Sequence, residues 1–256
     1  HPPTSPATLM NQNRLTVTQS IIIINVVVYV VGLLVQRPSF FCITDPSLTS
    51  ALDAPNTPVL EILGAYSWFT CFREGELWRL ISYQFLHASF THLLFNMWAL
   101  YFFGPVIEMA LGGRRFLAFY LICGVSGALF SSALGALNFY GTADTLFPLP
   151  LAAYLGLDPN IPLYTWQLIP LVGASAAIYG VMVATAILYP RVQVSLLFPP
   201  VTLSLRVFAL VIIAVAAATV LLGWTNAGGE AGHLGGILMG AILIRFFCRG
   251  RNGWED

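Results

Sequence analysis

The chain has 256 residues, of which 57% are hydrophobic and only 9% are charged, and its formal net charge is zero. Soluble domains carry about 25% charged residues, so this composition excludes an ordinary soluble protein and indicates a chain embedded in a membrane. The balanced charge gives no reason to expect a nucleic-acid partner.

The two ends of the chain are more polar than its middle. Residues 1–14 are rich in proline and polar side chains, which predicts a flexible tail. No convincing small-residue cleavage site follows the first apolar run, so we expect no cleavable signal peptide. Residues 248–256 are predicted to form a short cytoplasmic tail, which leaves residues 15–247 as one membrane domain.

Six apolar segments predict an all-α membrane protein, because backbone in lipid must satisfy its own hydrogen bonds. The second and sixth segments are shorter than the about 20 residues that a bilayer core requires, so we expect both to extend into the flanking turns. The predicted spans are Leu15–Val35, Phe90–Phe103, Phe116–Leu137, Leu168–Tyr189, Val201–Leu222 and Ala231–Phe247.

The arginines predict the orientation, since cytoplasmic loops of membrane proteins carry an excess of positive residues. With a cytoplasmic N-terminus, eight of the eleven arginines lie inside or near the inner face and three lie outside. Six spans then leave both termini cytoplasmic. The outer three are Arg37, Arg73 and Arg79, and the inner eight are Arg14, Arg114, Arg115, Arg191, Arg206, Arg245, Arg249 and Arg251.

Two long segments fall on the outer side in this topology. The loop of residues 36–89 is rich in aromatic and aliphatic residues, which suit the membrane interface. The insertion of residues 138–167 combines four prolines, which oppose a single regular helix, with aromatics typical of the headgroup level. The insertion is predicted either to cover the outer mouth of a site or to be a passive interfacial loop.

Two cysteines, Cys42 and Cys71, fall in the outer loop. We expect the chain in a bacterial inner membrane or in a eukaryotic secretory membrane, and a disulfide between these cysteines is compatible with the oxidising side of either. Two free buried thiols are an equally good interpretation.

Three polar residues are predicted to lie at one depth below the outer face. His92, Ser175 and His233 stand near the starts of the second, fourth and sixth spans, which all run inward. Ionisable residues inside a membrane are costly, and they usually mark a functional site. Topology alone therefore predicts that these three side chains meet.

A serine and a histidine at one depth suit nucleophilic catalysis, because a hydroxyl needs a neighbouring base to take its proton. His92 and Asn96 share a helix face and offer N–H donors for an oxyanion, as does the backbone at the helix start beside Ser175. Tyr179 lies one turn after Ser175. We expect a Ser–His dyad in which packing, and no carboxylate, orients His233.

Four short motifs are spaced along the chain. They are Glu76-Leu77-Trp78-Arg79 in the outer loop, His87, His92 and Asn96 in His-x4-His-x3-Asn, Gly173-Ala174-Ser175-Ala176 in Gly-x-Ser-x, and His233-x2-Gly236-x3-Gly240 in the last predicted helix. In these motifs the chain resembles the rhomboid intramembrane serine proteases, over essentially all six predicted helices. The first motif is similar to the Trp-Arg motif of the family's first loop.

This resemblance implies Ser175 as nucleophile, His233 as base, His92 and Asn96 on the oxyanion side, and Tyr179 packed against His233. It implies transmembrane protein substrates cleaved near the outer face, with small or helix-weakening residues there. We expect no cofactor, and no metal site, because the histidines lack a third convincing ligand nearby. The chain departs from the family at Gly232, where alanine is usual, and in the longer stretch between the third and fourth helices.

Two other functions are alternatives to proteolysis. A catalytically inactive rhomboid-like chaperone or dislocation factor would lack the serine or the histidine, whereas both are present. A small transporter would place ionisable groups along a path across the membrane, whereas these histidines cluster at one depth.

Several residues have structural interpretations. We expect His87 to tie the outer loop to the second helix, Trp78 to anchor at the interface, and Arg79 to order the loop. Glu108 precedes Arg114 and Arg115, which favours an ion pair at the inner face.

The small residues of the fourth and sixth helices recur every four positions and predict close packing between these two helices. Along the sixth helix they are Gly232, Gly236 and Gly240, and along the fourth they are Ala176, Gly180 and Ala184.

Overall fold

The computed structural model describes residues 15–35, 59–139, 165–195, 200–224 and 226–249. Six helices of 14 to 24 residues form the body of this part of the chain. They are α1 (Val17–Val35), α2 (Phe90–Leu111), α3 (Gly113–Ala136), α4 (Ser175–Leu188), α5 (Leu205–Leu221) and α6 (Ala227–Cys248).

Shorter elements lie between these helices. The outer loop contains helical turns at Val59–Gly64, Phe69–Arg73, Arg79–Ser82 and Tyr83–Phe85, and Thr165–Leu168 forms another turn before α4. Strands β1 (Gln193–Ser195) and β2 (Thr202–Ser204) pair antiparallel between α4 and α5.

Four of the long helices, α1, α2, α3 and α6, are long and apolar enough to cross a membrane. Helices α4 and α5 are equally apolar but have only 14 and 17 residues. Large hydrophobic side chains remain exposed on most of these helices, as expected where the surrounding solvent is lipid. The chain is therefore an integral membrane protein with a helical bundle.

The helix ends differ from the predicted spans in ways that local backbone explains. Helix α2 continues eight residues beyond Phe103, because Pro105 is tolerated inside it, and it ends at Gly112 with φ +79°. The extension predicted for the second and sixth spans is thus present in α2 and α6. Helix α4 starts later than predicted, because Gly173 with φ +124° breaks the helical backbone just before Ser175.

Small residues allow α6 to lie directly against α3 and α4. A Cβ atom on Gly236 would collide with the carbonyl oxygen of Ala176, and one on Gly240 would lie 2.5 Å from that of Gly180. On the other side of α6, Gly235 would meet the backbone of α3 at Gly127. The predicted close packing of α4 and α6 is confirmed at Gly236 and Gly240.

Gly232, in contrast, does not face α4 as predicted. The nearest atom to a Cβ built there is the carbonyl oxygen of Gly127 in α3, 3.7 Å away. Residues four apart on an α-helix are rotated by about 40° from one another, so a stripe of three cannot stay on one contact line.

Glu108 fastens α1 to α2. Its carboxylate accepts hydrogen bonds from the backbone N–H groups of Val17 and Thr18, at 2.7 and 2.8 Å, and from the Thr18 hydroxyl at 2.6 Å. The predicted ion pair of Glu108 with Arg114 or Arg115 is wrong. The carboxylate instead binds the free N–H groups at the N-terminus of α1, where the helix dipole is positive.

Arg79 orders the outer loop, as predicted. Its guanidinium donates to the carbonyl oxygens of Ile62 and Ala65, at 2.9 and 2.8 Å, and pairs with Glu76. The Trp78 indole N–H donates to Leu63 O at 3.2 Å while more than half of the side chain stays exposed, which suits an interfacial position.

The outer loop also contacts the segment that leads into α4. Tyr66 and Leu171 exchange two backbone hydrogen bonds, and the rings of Trp68 and Trp166 meet edge to face at 5.5 Å. Most of the insertion of residues 138–167 and the whole of Cys42 lie outside the described residues. Cys71 is fully buried. The covering role of the insertion therefore stays a prediction. Cys71 is a free, buried thiol in the structure, which agrees with the second interpretation of the cysteines and not with a disulfide.

Candidate active site

Ser175 and His233 are in hydrogen-bond contact. The Oγ atom of Ser175 lies 2.8 Å from Nε2 of His233. The two residues are 58 positions apart in the chain. Ser175 is the first residue of α4, and His233 lies in the second turn of α6. They meet because glycines further along α6 allow the two helices to pack closely. Both side chains are largely but not fully enclosed.

His92 approaches the same point from α2. Ser89 caps this helix, its hydroxyl accepting the His92 backbone N–H at 3.2 Å, which fixes His92 in the first turn. A Cβ on Gly173 would lie 2.7 and 2.8 Å from Cε1 and Nε2 of His92, and 3.6 Å from Ser175 Oγ. Gly173 thus provides both the left-handed backbone and the space that let the imidazole stand beside Ser175.

Asn96 follows His92 by one turn and is buried, with 7% of its surface exposed. Its Nδ2 has no hydrogen-bond partner among the described residues. A buried amide donor without a partner is costly, so such a group in a native protein calls for an explanation. An oxyanion that forms only during reaction would supply the missing acceptor.

Tyr179 lies flat against His233. The ring centroids are 4.1 Å apart and the planes differ by 9°. The packing implied by the family resemblance is therefore present. Because Tyr179 follows Ser175 by one turn of α4, a single helix carries the serine and the residue that holds the plane of its partner imidazole.

A carboxylate accompanies this pair, and the expectation that none would do so is wrong. Oε2 of Glu230 lies 2.8 Å from Nδ1 of His233. Glu230 precedes His233 by three residues in α6, a spacing that brings side chains together on one helix face. That spacing is readable in the sequence, but the sequence analysis did not single out Glu230.

His87 lies behind His92, with the two rings edge to face at 5.0 Å between centroids. Its side chain is buried, and neither ring nitrogen has a hydrogen-bond partner among the described residues. Burial, with a smaller contribution from His92, lowers the pKa of His87 to about 3. A neutral packing residue between the outer loop and α2 fits this environment, as the sequence suggested.

The start of α4 adds backbone donors to the site. Among the residues that the structure describes, no side chain caps this helix at Ala174, so its first N–H groups are left for another acceptor beside Ser175. The arrangement therefore combines a hydroxyl, a base in contact with it, a carboxylate behind the base, and several N–H donors. This set matches the requirements of acyl transfer. Within the described residues, no three His, Cys, Asp or Glu side chains form a group able to hold a metal ion.

Comparison with known proteins identifies the family. The model of the Rhomboid domain matches residues 74–250. RHOMBOID-like protein 6, mitochondrial, from Arabidopsis thaliana is 30% identical over 227 residues, which are 88% of this chain and 61% of that protein. Rhomboid protease AarA from Providencia stuartii is 30% identical over 171 residues, 66% of this chain and 55% of that protein.

An inactive relative also matches. Inactive RHOMBOID-like protein 8 from Arabidopsis thaliana is 32% identical over 77 residues, 30% of this chain and 22% of that protein. The chain spans less than two thirds of the length of each of these three relatives. The extent of the domain match decides the assignment: the chain belongs to the rhomboid family.

Proposed function

We propose that this protein is an intramembrane serine endopeptidase that hydrolyses peptide bonds of transmembrane substrates near the outer face of the membrane. The observation that carries the proposal is the 2.8 Å contact between Ser175 Oγ and His233 Nε2. A serine hydroxyl is a weak nucleophile until an adjacent base accepts its proton, and this contact lies within the required distance.

In this mechanism, Ser175 Oγ attacks the carbonyl carbon of the substrate while Nε2 of His233 takes the hydroxyl proton. The C–N bond then breaks, His233 returns that proton to the leaving amine, and an ester on Ser175 remains. A water molecule attacks the ester and gives a proton to His233. Collapse of this second intermediate releases the acid and restores the hydroxyl on Ser175.

His92, Asn96 and the first N–H groups of α4 stabilise the oxyanion in both steps. The Nδ2 of Asn96, which has no hydrogen-bond partner within the described part of the chain, supports this role, since the donor is already buried and needs no reorganisation to meet a new charge. Gly173 supports it indirectly by letting His92 approach Ser175. Gly236 and Gly240 keep α6 close enough to α4 for the dyad to meet.

The substrate is a membrane-anchored protein whose helix unwinds locally, because a peptide bond inside an intact helix is shielded from Ser175. In the proposed topology α1 to α6 all span the bilayer, and both termini are cytoplasmic. The excess of inner arginines supports this orientation. Ser175 and His92, in the first turns of α4 and α2, and His233, in the second turn of α6, then lie at the outer side.

An inactive membrane chaperone is the competing function, and the relative named as inactive gives a specific reason to test it. Two measurements on protein purified in detergent separate the two functions: labelling by a fluorophosphonate and cleavage of a model transmembrane substrate. We expect both in the unmodified protein and neither in Ser175→Ala or His233→Ala.

Asn96→Ala should retain labelling and lose about 10²–10³-fold in cleavage rate, as for one missing oxyanion donor. Full turnover by purified Ser175→Ala would refute the proposal. Absence of labelling in a correctly folded unmodified protein would favour the chaperone.

A further inference from the structure

Glu230 is in direct contact with the candidate base, His233. Its carboxylate contacts Nδ1 of His233, on the side of the imidazole opposite Ser175. We infer that Glu230 is a positioning residue that holds His233 with Nδ1 protonated and Nε2 free to accept the Ser175 proton. This inference rests on the proposed proteolytic function and replaces its dyad with an ordered Ser175–His233–Glu230 chain.

Burial makes this contact more than a surface ion pair. Only 13% of the His233 side chain and 18% of the Glu230 side chain are exposed. At such positions solvent screens the charge weakly, and a hydrogen bond to a charged acceptor is stronger than one between neutral groups. Glu230 also lies in the first turn of α6, where the helix dipole favours a negative charge.

Tyr179 alone cannot define the orientation of His233. Stacking at 4.1 Å fixes the plane of the imidazole, but a half-turn about the Cβ–Cγ bond leaves that plane unchanged. Such a turn exchanges each ring nitrogen with a carbon position, which would remove Nε2 from Ser175. A hydrogen-bond partner at Nδ1 stabilises only one of the two orientations, because the turn would replace Nδ1 by a carbon. Glu230 is this partner.

The carboxylate also selects the tautomer. An ionised glutamate only accepts hydrogen bonds, so the nitrogen facing it must carry the proton. The neutral imidazole then has a lone pair at Nε2, which is the form a general base requires. When His233 takes the Ser175 proton, the resulting imidazolium faces the Glu230 carboxylate.

The first measurement needs no substitution. The chain has four histidines, so an NMR spectrum of ¹⁵N-histidine-labelled protein contains few imidazole signals. The signal of His233 is identified by its absence from the spectrum of His233→Ala. The spectrum is recorded at pH 8, above the usual titration range of histidine, in detergent. We expect the Nδ1–H tautomer to dominate at His233. A dominant Nε2–H tautomer would overturn the inference.

The second measurement uses Glu230→Gln, which keeps the size and shape of the side chain but can donate as well as accept. In a serine protease, the corresponding change of aspartate to asparagine traps the wrong tautomer and lowers kcat by about 10⁴-fold. Since Tyr179 also holds the ring here, we expect a fall in kcat of at least about tenfold, KM changed by less than about twofold, and loss of the Nδ1–H preference. Exposed Glu74→Gln is the matched control and should leave kcat, KM and the spectrum unchanged.

These results separate the inference from the proposed function. If Ser175→Ala still cleaves substrate, the assignment of Ser175 as the nucleophile fails, and the proposed serine mechanism with it. If Ser175→Ala is inactive and Glu230→Gln keeps its kcat within tenfold of the unmodified protein, only the role of Glu230 fails. Thermal unfolding of Glu230→Gln checks its fold, and the spectrum of the unmodified protein decides the tautomer even if that variant is unstable.

Discussion

Tyr179 stacks on His233 with their planes 9° apart, so α4 supplies both the serine and the surface against which the imidazole of α6 rests. This contact holds the plane of His233, whereas Glu230 holds its direction within that plane. The two restraints act on different motions and should have separable effects.

Tyr179→Phe and Tyr179→Ala test the stacking. Phenylalanine keeps the aromatic face, so we expect a cleavage rate within about threefold of the unmodified protein. Alanine removes the face and lets the imidazole tilt, and a displacement of ~1 Å can cost on the order of 10²-fold in rate. Substrate cleavage under single-turnover conditions measures both variants. Equal rates for phenylalanine and alanine would show that stacking does not position His233.

Glu108 should stabilise the bundle without affecting chemistry. It bonds the Val17 and Thr18 N–H groups at the free end of α1, far along α2 from His92. Glu108→Ala removes this cap, and we expect a loss of about 1–2 kcal/mol in unfolding free energy.

The readout for Glu108→Ala is the thermal unfolding midpoint in detergent, with fluorophosphonate labelling of the folded fraction as the control for the site. A lower labelling rate at full folding would contradict a purely structural role. Thr18→Val, which removes only the hydroxyl contact, should have a smaller effect on the midpoint.

His87 should make the fold sensitive to acid. Its pKa lies at about 3 in the folded protein, lowered by burial and by His92 from an ordinary value of 6.5. Between these values the unfolded chain binds a proton that the folded chain does not, so stability falls as pH decreases from about 6.5 towards 3. His87→Phe removes this titratable group and, with it, the two buried ring nitrogens that have no partner among the described residues.

We therefore expect the unfolding midpoint of His87→Phe to exceed that of the unmodified protein increasingly below pH 6.5, with little change in the difference above pH 7. Thermal unfolding at pH 4, 5, 6 and 8 measures the trend. A difference that does not vary with pH would mean that His87 does not titrate in this way.

The sequence predicts the meeting of Ser175, His92 and His233 because alternating helices put three inward-running segments at the same level. It also predicts the small-residue contact between α4 and α6, since glycine spacing is a local property. The contacts of Glu108 and Glu230 were not predicted, because they depend on where helices begin and on how they pack, which the predicted spans do not specify. Glu108 reaches the end of α1, which is distant in the chain, and Glu230 matters because α6 begins four residues before the predicted span.

Gly236 and Gly232 provide a matched pair in one helix. Alanine at either position adds one methyl group, yet the two sites differ in space. At position 236 the Cβ would overlap the Ala176 carbonyl, which is backbone and cannot rotate away, whereas at position 232 the nearest atom is 3.7 Å distant. Gly236→Ala must therefore separate α6 from α4, and Gly232→Ala need not move anything.

We expect Gly232→Ala to keep full activity and to gain up to about 1 kcal/mol in stability, because alanine is the better helix former. Gly236→Ala should lose about 1–3 kcal/mol by overpacking and on the order of 10²-fold in cleavage rate, because the Ser175–His233 contact opens. Cleavage rate and unfolding midpoint are measured for both variants in the same detergent. If Gly236→Ala were as active as Gly232→Ala, the close approach of α4 and α6 at Ala176 would not set the distance between Ser175 and His233.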